Sequence, residues 1–356
     1  MKLWKKLTAP VLAAALLLSG CQLYGTTKQK STVESSAETS ATATEADTQA
    51  TASTTQAVTE APTTESSSGK SGSISPMMWK VTGEKGNSLY LFGTIHMGDE
   101  RNDTVLQLVS GTLDNCDALA VEFNVEAFEE DTAKQTQLAM KLMYTDGTTV
   151  KDHISSDLYE QSVSYLTEND NYNQFYDYFI AGYWTTLLQQ TAVKNTSYSL
   201  DNAMDSKLIQ YAGDKSKEIL EVESAEFQFD MEANFSDDLA ELQIRSFFEE
   251  SDNYENDLTE MYVAWLSGDE AALTEMEYEV DEDEYAKLTD EEKELYADYQ
   301  KTMLTDRNVG MADKAEEYLA SGKNVFFAVG AGHMVSDEGV VQLLKNRGCK
   351  VERVNL

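Results

Sequence analysis

An α/β (α+β) fold, a central mixed β-sheet carrying a large helical insertion, is what this sequence predicts from two observations. Short apolar, β-favouring runs stand near both ends of the region 76–356, and long stretches between them repeat apolar residues at helical spacing. Residues 78–82 and 88–92 flank Gly83-Glu84-Lys85-Gly86-Asn87 and predict a hairpin. Val105, Leu106, Leu108, Val109 and Leu113 then mark a helix, with Asp103 or Thr104 as its cap. A buried-type strand follows at 118–123. Helices are expected over 175–192, 203–212, 225–248 and 308–320, with further strands at 218–222 and 324–329. Residues 340–345 continue as helix, Gly348 stops it, and 350–354 close the chain as a strand. The acid-rich stretch from 249 to 299 lacks the alternating ligands and glycine of a calcium loop and reads as a solvated helical face. No tandem repeat is present.

Two segments precede this region. Lys2, Lys5 and Lys6 lead an apolar run from 7 to 18, too short to span a bilayer, and Leu18-Ser19-Gly20-Cys21 follows. Residues 1–21 are therefore expected to be an export signal ending in a lipobox-like tetrad, with Cys21 lipidated and first in the mature chain; a plain signal peptide is the alternative. Stable anchoring needs two or more acyl chains. Residues 22–75, rich in Ser, Thr, Ala, Gln and Glu, cannot bury enough apolar surface to order themselves and read as a tether. These features place the chain at the extracytoplasmic face of a bacterial membrane, and the region 76–356 forms its folded domain.

With 27 Lys+Arg against 63 Asp+Glu, the formal net charge is −36. No basic stripe exists to follow a phosphate backbone, so nucleic acid is excluded as a partner. The same surface disfavours anionic headgroups and leaves membrane contact to the lipid. Beyond Cys21, only Cys116 and Cys349 remain, either as one bridge or as two free thiols.

Histidine is scarce, and two of the three share one context. Leu89-Tyr90-Leu91-Phe92 runs into Gly93-Thr94-Ile95-His96, and Val325-Phe326-Phe327-Ala328-Val329 into Gly330-Ala331-Gly332-His333. In each, the glycine is expected to turn the chain as it leaves the strand, holding the histidine beyond the strand's C-terminal end. Ligands bind at that edge in open α/β sheets. Glu122 ends another such strand. His96, Glu122 and His333 are thus a candidate facial metal site, or an acid–base site without metal. Glu126 is a weaker candidate, and His153, among polar neighbours, reads as a surface residue. Neither a His-Glu-x-x-His helix nor a Gly-x-Ser-x-Gly elbow occurs.

These motifs, with Val121-Glu122-Phe123, Leu200-Asp201, Ile219-Leu220-Glu221-Val222-Glu223, Gln228, Trp265-Leu266-Ser267-Gly268-Asp269 and Asp306-Arg307-Asn308, resemble the TraB/GumN family, whose relatives include the Tiki proteases and plasmid pheromone-shutdown proteins. The resemblance covers nearly all of the folded part. It implies a divalent-metal-dependent hydrolase, with peptides or proteins as substrates and manganese, cobalt or zinc as the ion. It further implies metal or acid–base roles for His96, Glu122 and His333, and an oxyanion or substrate contact for Arg307. From the residues alone, Arg307 is equally placed to pair with Asp306. Asn124 stands where a second acid would help, so a two-carboxylate mechanism needs Glu126 or Glu221 to fold in. The rival expectation is a surface module that captures a peptide signal without chemistry.

Overall fold

The computed structural model describes residues 73–356; the expected signal segment with Cys21, and the tether through residue 72, lie outside the described residues. Just before residue 76, Ile74 packs against the core and the Ser75 N–H donates to the Leu266 carbonyl at 2.7 Å.

Six strands form one mixed sheet: β1 (Met78–Thr82), β2 (Ser88–Thr94), β3 (Ala118–Val121), β4 (Glu218–Glu221), β5 (Val325–Gly330) and β6 (Lys350–Arg353). Their spatial order is β4-β3-β5-β2-β1-β6. β1 and β2 are the expected hairpin, pairing Met78 with Phe92 and Thr82 with Ser88. β5 runs parallel to both neighbours, pairing Thr94 with Gly330 on one side and Val121 with Ala328 on the other. Every residue of β5 is buried, as a central parallel strand covered on both faces requires. The C-terminal ends of β2, β3, β4 and β5 therefore reach the same edge of the sheet.

Helices Arg101–Asp114 and Met204–Asp214 pack together and contact β5, β3 and β4, while Asp306–Ser321 and Val340–Asn346 pack together and contact β2, β5 and β6. The helical mass enters in two lengths rather than one, divided by β4. The helix expected over 225–248 is two, Ala225–Ala233 and Asp237–Glu250, because the Ser236 side chain accepts the Leu239 N–H and starts a new helix. Neither Asp103 nor Thr104 caps the first helix; it begins earlier, after Glu100.

The acid-rich stretch forms four helices whose acids mostly face water, but Tyr262, Trp265, Leu273, Tyr296 and Tyr299 are buried within it. Solvation thus describes only one side of these helices. Glu277 is turned inward. Lys301–Thr305, between helices Asp290–Gln300 and Asp306–Ser321, is a π-helical turn, a device found often at functional sites. Cys116 and Cys349 are both free thiols. No helix among the described residues is long and apolar enough to cross a membrane.

Candidate functional site

His96 stands two residues past β2, Glu122 directly after β3, and His333 at the end of the 3-10 turn that follows β5. Because those strands are neighbours, the three side chains meet. A Cβ placed on Gly330 would lie 3.4 Å from Glu122 Oε1, 3.4 Å from His96 Nε2 and 3.6 Å from His333 Cδ2. The space left by one missing methyl group is therefore where the three groups converge.

The glycines serve a different purpose from the expected turn. Neither Gly93 nor Gly330 has a left-handed backbone. Gly93 instead permits close approach, since a Cβ there would sit 3.0 Å from Ala331 Cα, and Gly330 keeps the convergence point open.

Each histidine is oriented from behind. His96 Nδ1 is 2.8 Å from Asp205 Oδ2, and the other Asp205 oxygen accepts from Thr94 Oγ1 at 2.5 Å. His333 Nδ1 is 2.7 Å from Asn308 Oδ1. Asn308 Nδ2 donates to Tyr278 Oη and to the Glu338 carbonyl, each at 3.0 Å, while Tyr278 donates to the Gly332 carbonyl at 3.0 Å. That chain leaves Asn308 only its oxygen to offer, so His333 Nδ1 carries the proton and Nε2 the lone pair. Both imidazoles thereby present Nε2.

Glu122 is held by three donors: Gly330 N at 2.8 Å on Oε1, and Arg307 Nη2 at 2.7 Å and Gln228 Nε2 at 3.1 Å on Oε2. Arg307 also grips Glu223, through Nε at 2.7 Å and Nη2 at 2.8 Å, and a longer Nη1 contact reaches the Met303 carbonyl. Arg307 thus does not pair with Asp306, which binds Lys301 instead. The second carboxylate is neither Glu126 nor Glu221, both exposed, but Glu223, two residues beyond β4 and tied to Glu122 through Arg307 and Gln228.

Electrostatics separates the two histidines. Burial opposes a charge on His96, but the Asp205 carboxylate, helped by Glu122, outweighs it and lifts the group to about 9. Burial and then Arg307 push His333 down to about 3, against Glu122. Burial disfavours an ionised Glu122 too, yet Arg307 and both histidines hold it well below the usual carboxylate range.

The donors suit a divalent ion in kind. Metal-bound histidines commonly have their second nitrogen held by an oxygen, as both are here, and Glu122 Oε1 takes a single hydrogen bond. Among the described residues, no three His, Cys, Asp or Glu side chains are grouped at coordination spacing.

His153 is not a simple surface residue. It is half-buried and stacks on Tyr144 with ring centroids 3.8 Å apart; Nδ1 lies 2.7 Å from Asp237 Oδ2 and Nε2 2.6 Å from Thr148 Oγ1. His153→Ala should cost about 1–3 kcal/mol in a denaturation experiment, through the lost stack and hydrogen bonds. It lies in a separate polar cluster, so the convergence site should be unaffected.

From sequence, Asp205, Tyr278 and Glu277 are not singled out, and Asn308 stands only within a family-like motif, without a role. For Asp205 and Asn308 a signal existed: each is a polar residue on an apolar helical face, Asp205 with Leu208, Ile209 and Ala212, Asn308 with Met311, Ala312 and Ala315. A small pocket, with a volume of about 60 Å³, opens beside His96, His333, Arg307 and Gly330.

The TraB/PrgY/gumN family model matches residues 77–353 of this sequence. Comparison with curated proteins and with solved structures finds no match.

Proposed function

The chain belongs to the TraB/PrgY/gumN family, and on that premise we propose that it is a divalent-metal-dependent hydrolase of peptide bonds, anchored outside the cytoplasm through lipid on Cys21. The observation that carries the catalytic part is the pair of imidazoles whose Nδ1 atoms are fixed by Asp205 and Asn308, so that both offer Nε2 beside Glu122. His96 Nε2, His333 Nε2 and Glu122 Oε1 would hold the ion. The surroundings that favour positive charge on His96 favour a proton or a cation equally, and His333 stays neutral, the form that ligates. When bound, a divalent ion supplies Lewis acidity, polarising a carbonyl and acidifying water.

That supply matters because the side chains here are poor proton acceptors at neutral pH. Glu122 is stabilised as a carboxylate by Arg307, which suits it to ligation more than to general-base work. Arg307 spends four of its five N–H groups on Glu122, Glu223 and Met303, and so acts chiefly by fixing Glu122. Its remaining Nη1 hydrogen and its charge are available to a developing oxyanion.

Digestion of a broad peptide library, with chelator and then with manganese, cobalt or zinc restored, tests this reading. Cleavage should vanish with chelator, return with one ion, and fall at least about 10³-fold in His96→Ala and His333→Ala. Gly330→Ala is the sharper variant. The backbone there, φ −48° and ψ 139°, accepts alanine, so the fold should survive while the new methyl occupies the convergence point. Full cleavage in chelator would sink the metal reading, and ion and peptide binding without turnover would favour a capture module. For the anchor, whose support is the Leu18-Ser19-Gly20-Cys21 tetrad, Cys21→Ala should lose all label from a radioactive fatty acid.

A further inference from the structure

We propose that the pocket beside the two imidazoles is a recognition subsite for one neutral, apolar side chain of a peptide, adjoining the bond that is attacked. The inference deepens the hydrolase reading and rests on it.

The apolar surface begins at the reactive group itself. Ile95 and Met97, both buried, flank His96 in the chain and line the pocket with it. The remaining wall comes from elements far away in sequence: Met261 and Trp265 from helix Tyr254–Ser267, Leu273 from helix Glu270–Tyr278, and Leu304 from the π-helical turn before Arg307. Trp265, fully buried behind the pocket, donates its one N–H to the Gly93 carbonyl at 2.8 Å, so its polar atom is spent and it backs the wall with carbon. Folding has gathered this wall around a pocket that remains open beside the candidate catalytic groups. Such a pocket, apolar with a few convergent polar groups, is the usual form of a small-ligand or side-chain site.

Charge narrows the choice. Glu277 is buried on the wall, with Oε2 3.4 Å from a Cβ placed on Gly332, and Arg307 and His96 line the same pocket. A charged side chain of either sign entering here would lose its hydration against the apolar wall. Alanine would leave most of the wall uncovered. Leucine or methionine fills it, and since leucine carries three more carbons than alanine, each worth at least roughly tenfold in an apolar pocket, it should exceed alanine by about 10³-fold in kcat/KM.

Two measurements on the full chain test this, each with manganese, cobalt and zinc supplied in turn. Mass spectrometry of library digests reads the residues flanking each cut. Calorimetry with acetyl-Gly-X-Gly-amide, X being Leu, Ala, Asp or Lys, reads binding without requiring turnover. Leucine-type residues should dominate one flanking position, and the Leu peptide should bind at least about tenfold tighter than the Ala peptide, with Asp and Lys weaker still. Leu273→Trp should fill the pocket and erase both preferences. Should that variant fail to fold, Met261→Trp at the half-buried wall position serves the same purpose. Cleavage without preference at any position, or a preference for Lys or Asp, overturns the subsite while leaving the hydrolase reading standing. Selective binding of the Leu peptide by a folded protein that cuts nothing does the reverse: the subsite holds and the hydrolase reading falls. Neither cleavage nor selective binding overturns both.

Discussion

Arg307→Met is expected to destabilise the folded chain by about 3–5 kcal/mol, the usual cost of removing one partner from a buried ion pair. Arg307 is only 3% exposed and is the shared counter-ion of two buried carboxylates, Glu122 and Glu223. Methionine matches much of its length but leaves both acids without that cation. Arg307→Lys should rescue little, since one ammonium cannot reproduce the fork in which Nε and Nη2 serve two acids. The deficit should also depend on pH. Arg307 helps to depress Glu122 from an ordinary 4.5, and a depressed carboxylate adds stability that is present above 4.5 and lost as pH falls through its folded value. Parent and variant should therefore differ most above pH 4.5 and draw together in acid. Urea denaturation at several pH values measures this, and a loss under about 1 kcal/mol at pH 7 would show that the triad is not a buried ionic unit.

Glu232→Gln should act in the opposite direction. The Glu232 carboxyl is buried in helix Ala225–Ala233; Oε1 takes the Thr186 hydroxyl at 3.1 Å, and Oε2 has no partner among the described residues. Burial, only partly offset by Thr186, pushes the group up from 4.5 to about 7. A raised carboxyl holds its proton more tightly folded than unfolded. Its contribution is therefore complete below pH 4.5 and is lost as pH rises through 7. At about 1.4 kcal/mol per pH unit, the parent should lose roughly 3 kcal/mol across that window on this account. Glutamine is neutral throughout, so the variant should lack this slope and exceed the parent by about 2–3 kcal/mol at pH 8. Equal slopes for the two proteins would mean that Glu232 finds a partner or water when it ionises.

Much of the fold was legible because strands and helices carry their own periodicity. The hairpin, the buried runs of β3 and β5, and the closing strand lie within a residue or two of expectation. The convergence of His96, Glu122 and His333 was legible as well, because each followed a strand of buried type. The supporting residues were harder to see. Glu223 stood in a stretch quoted for its family likeness, yet only the pairing of β3 with β4 brings it to the same edge as Glu122. Glu277 looked like one more acid on a wet helix, and which face turns inward there is decided by Trp265 and Leu273 packing beside it. In sequence, Arg307 is as well placed to pair with Asp306 as to serve the site, but the two side chains leave the helix in different directions, one to solvent and one inward. Long-range charge partners are a property of topology, and local pattern does not encode them.

The place of β5 also bears on how the molecule is made. It is the fifth strand to be synthesised, yet it lies between β2 and β3, which do not touch each other. While the chain is being produced, those two strands wait with apolar, unpaired edges until residues 325–330 exist to join them. Pairings between segments so distant in sequence form slowly, because a long loop must close before any contact rewards it. The same segment carries Gly330 and leads into His333. A nascent or truncated chain that stops before this point therefore has neither a continuous sheet nor the His333 imidazole that stands beside His96.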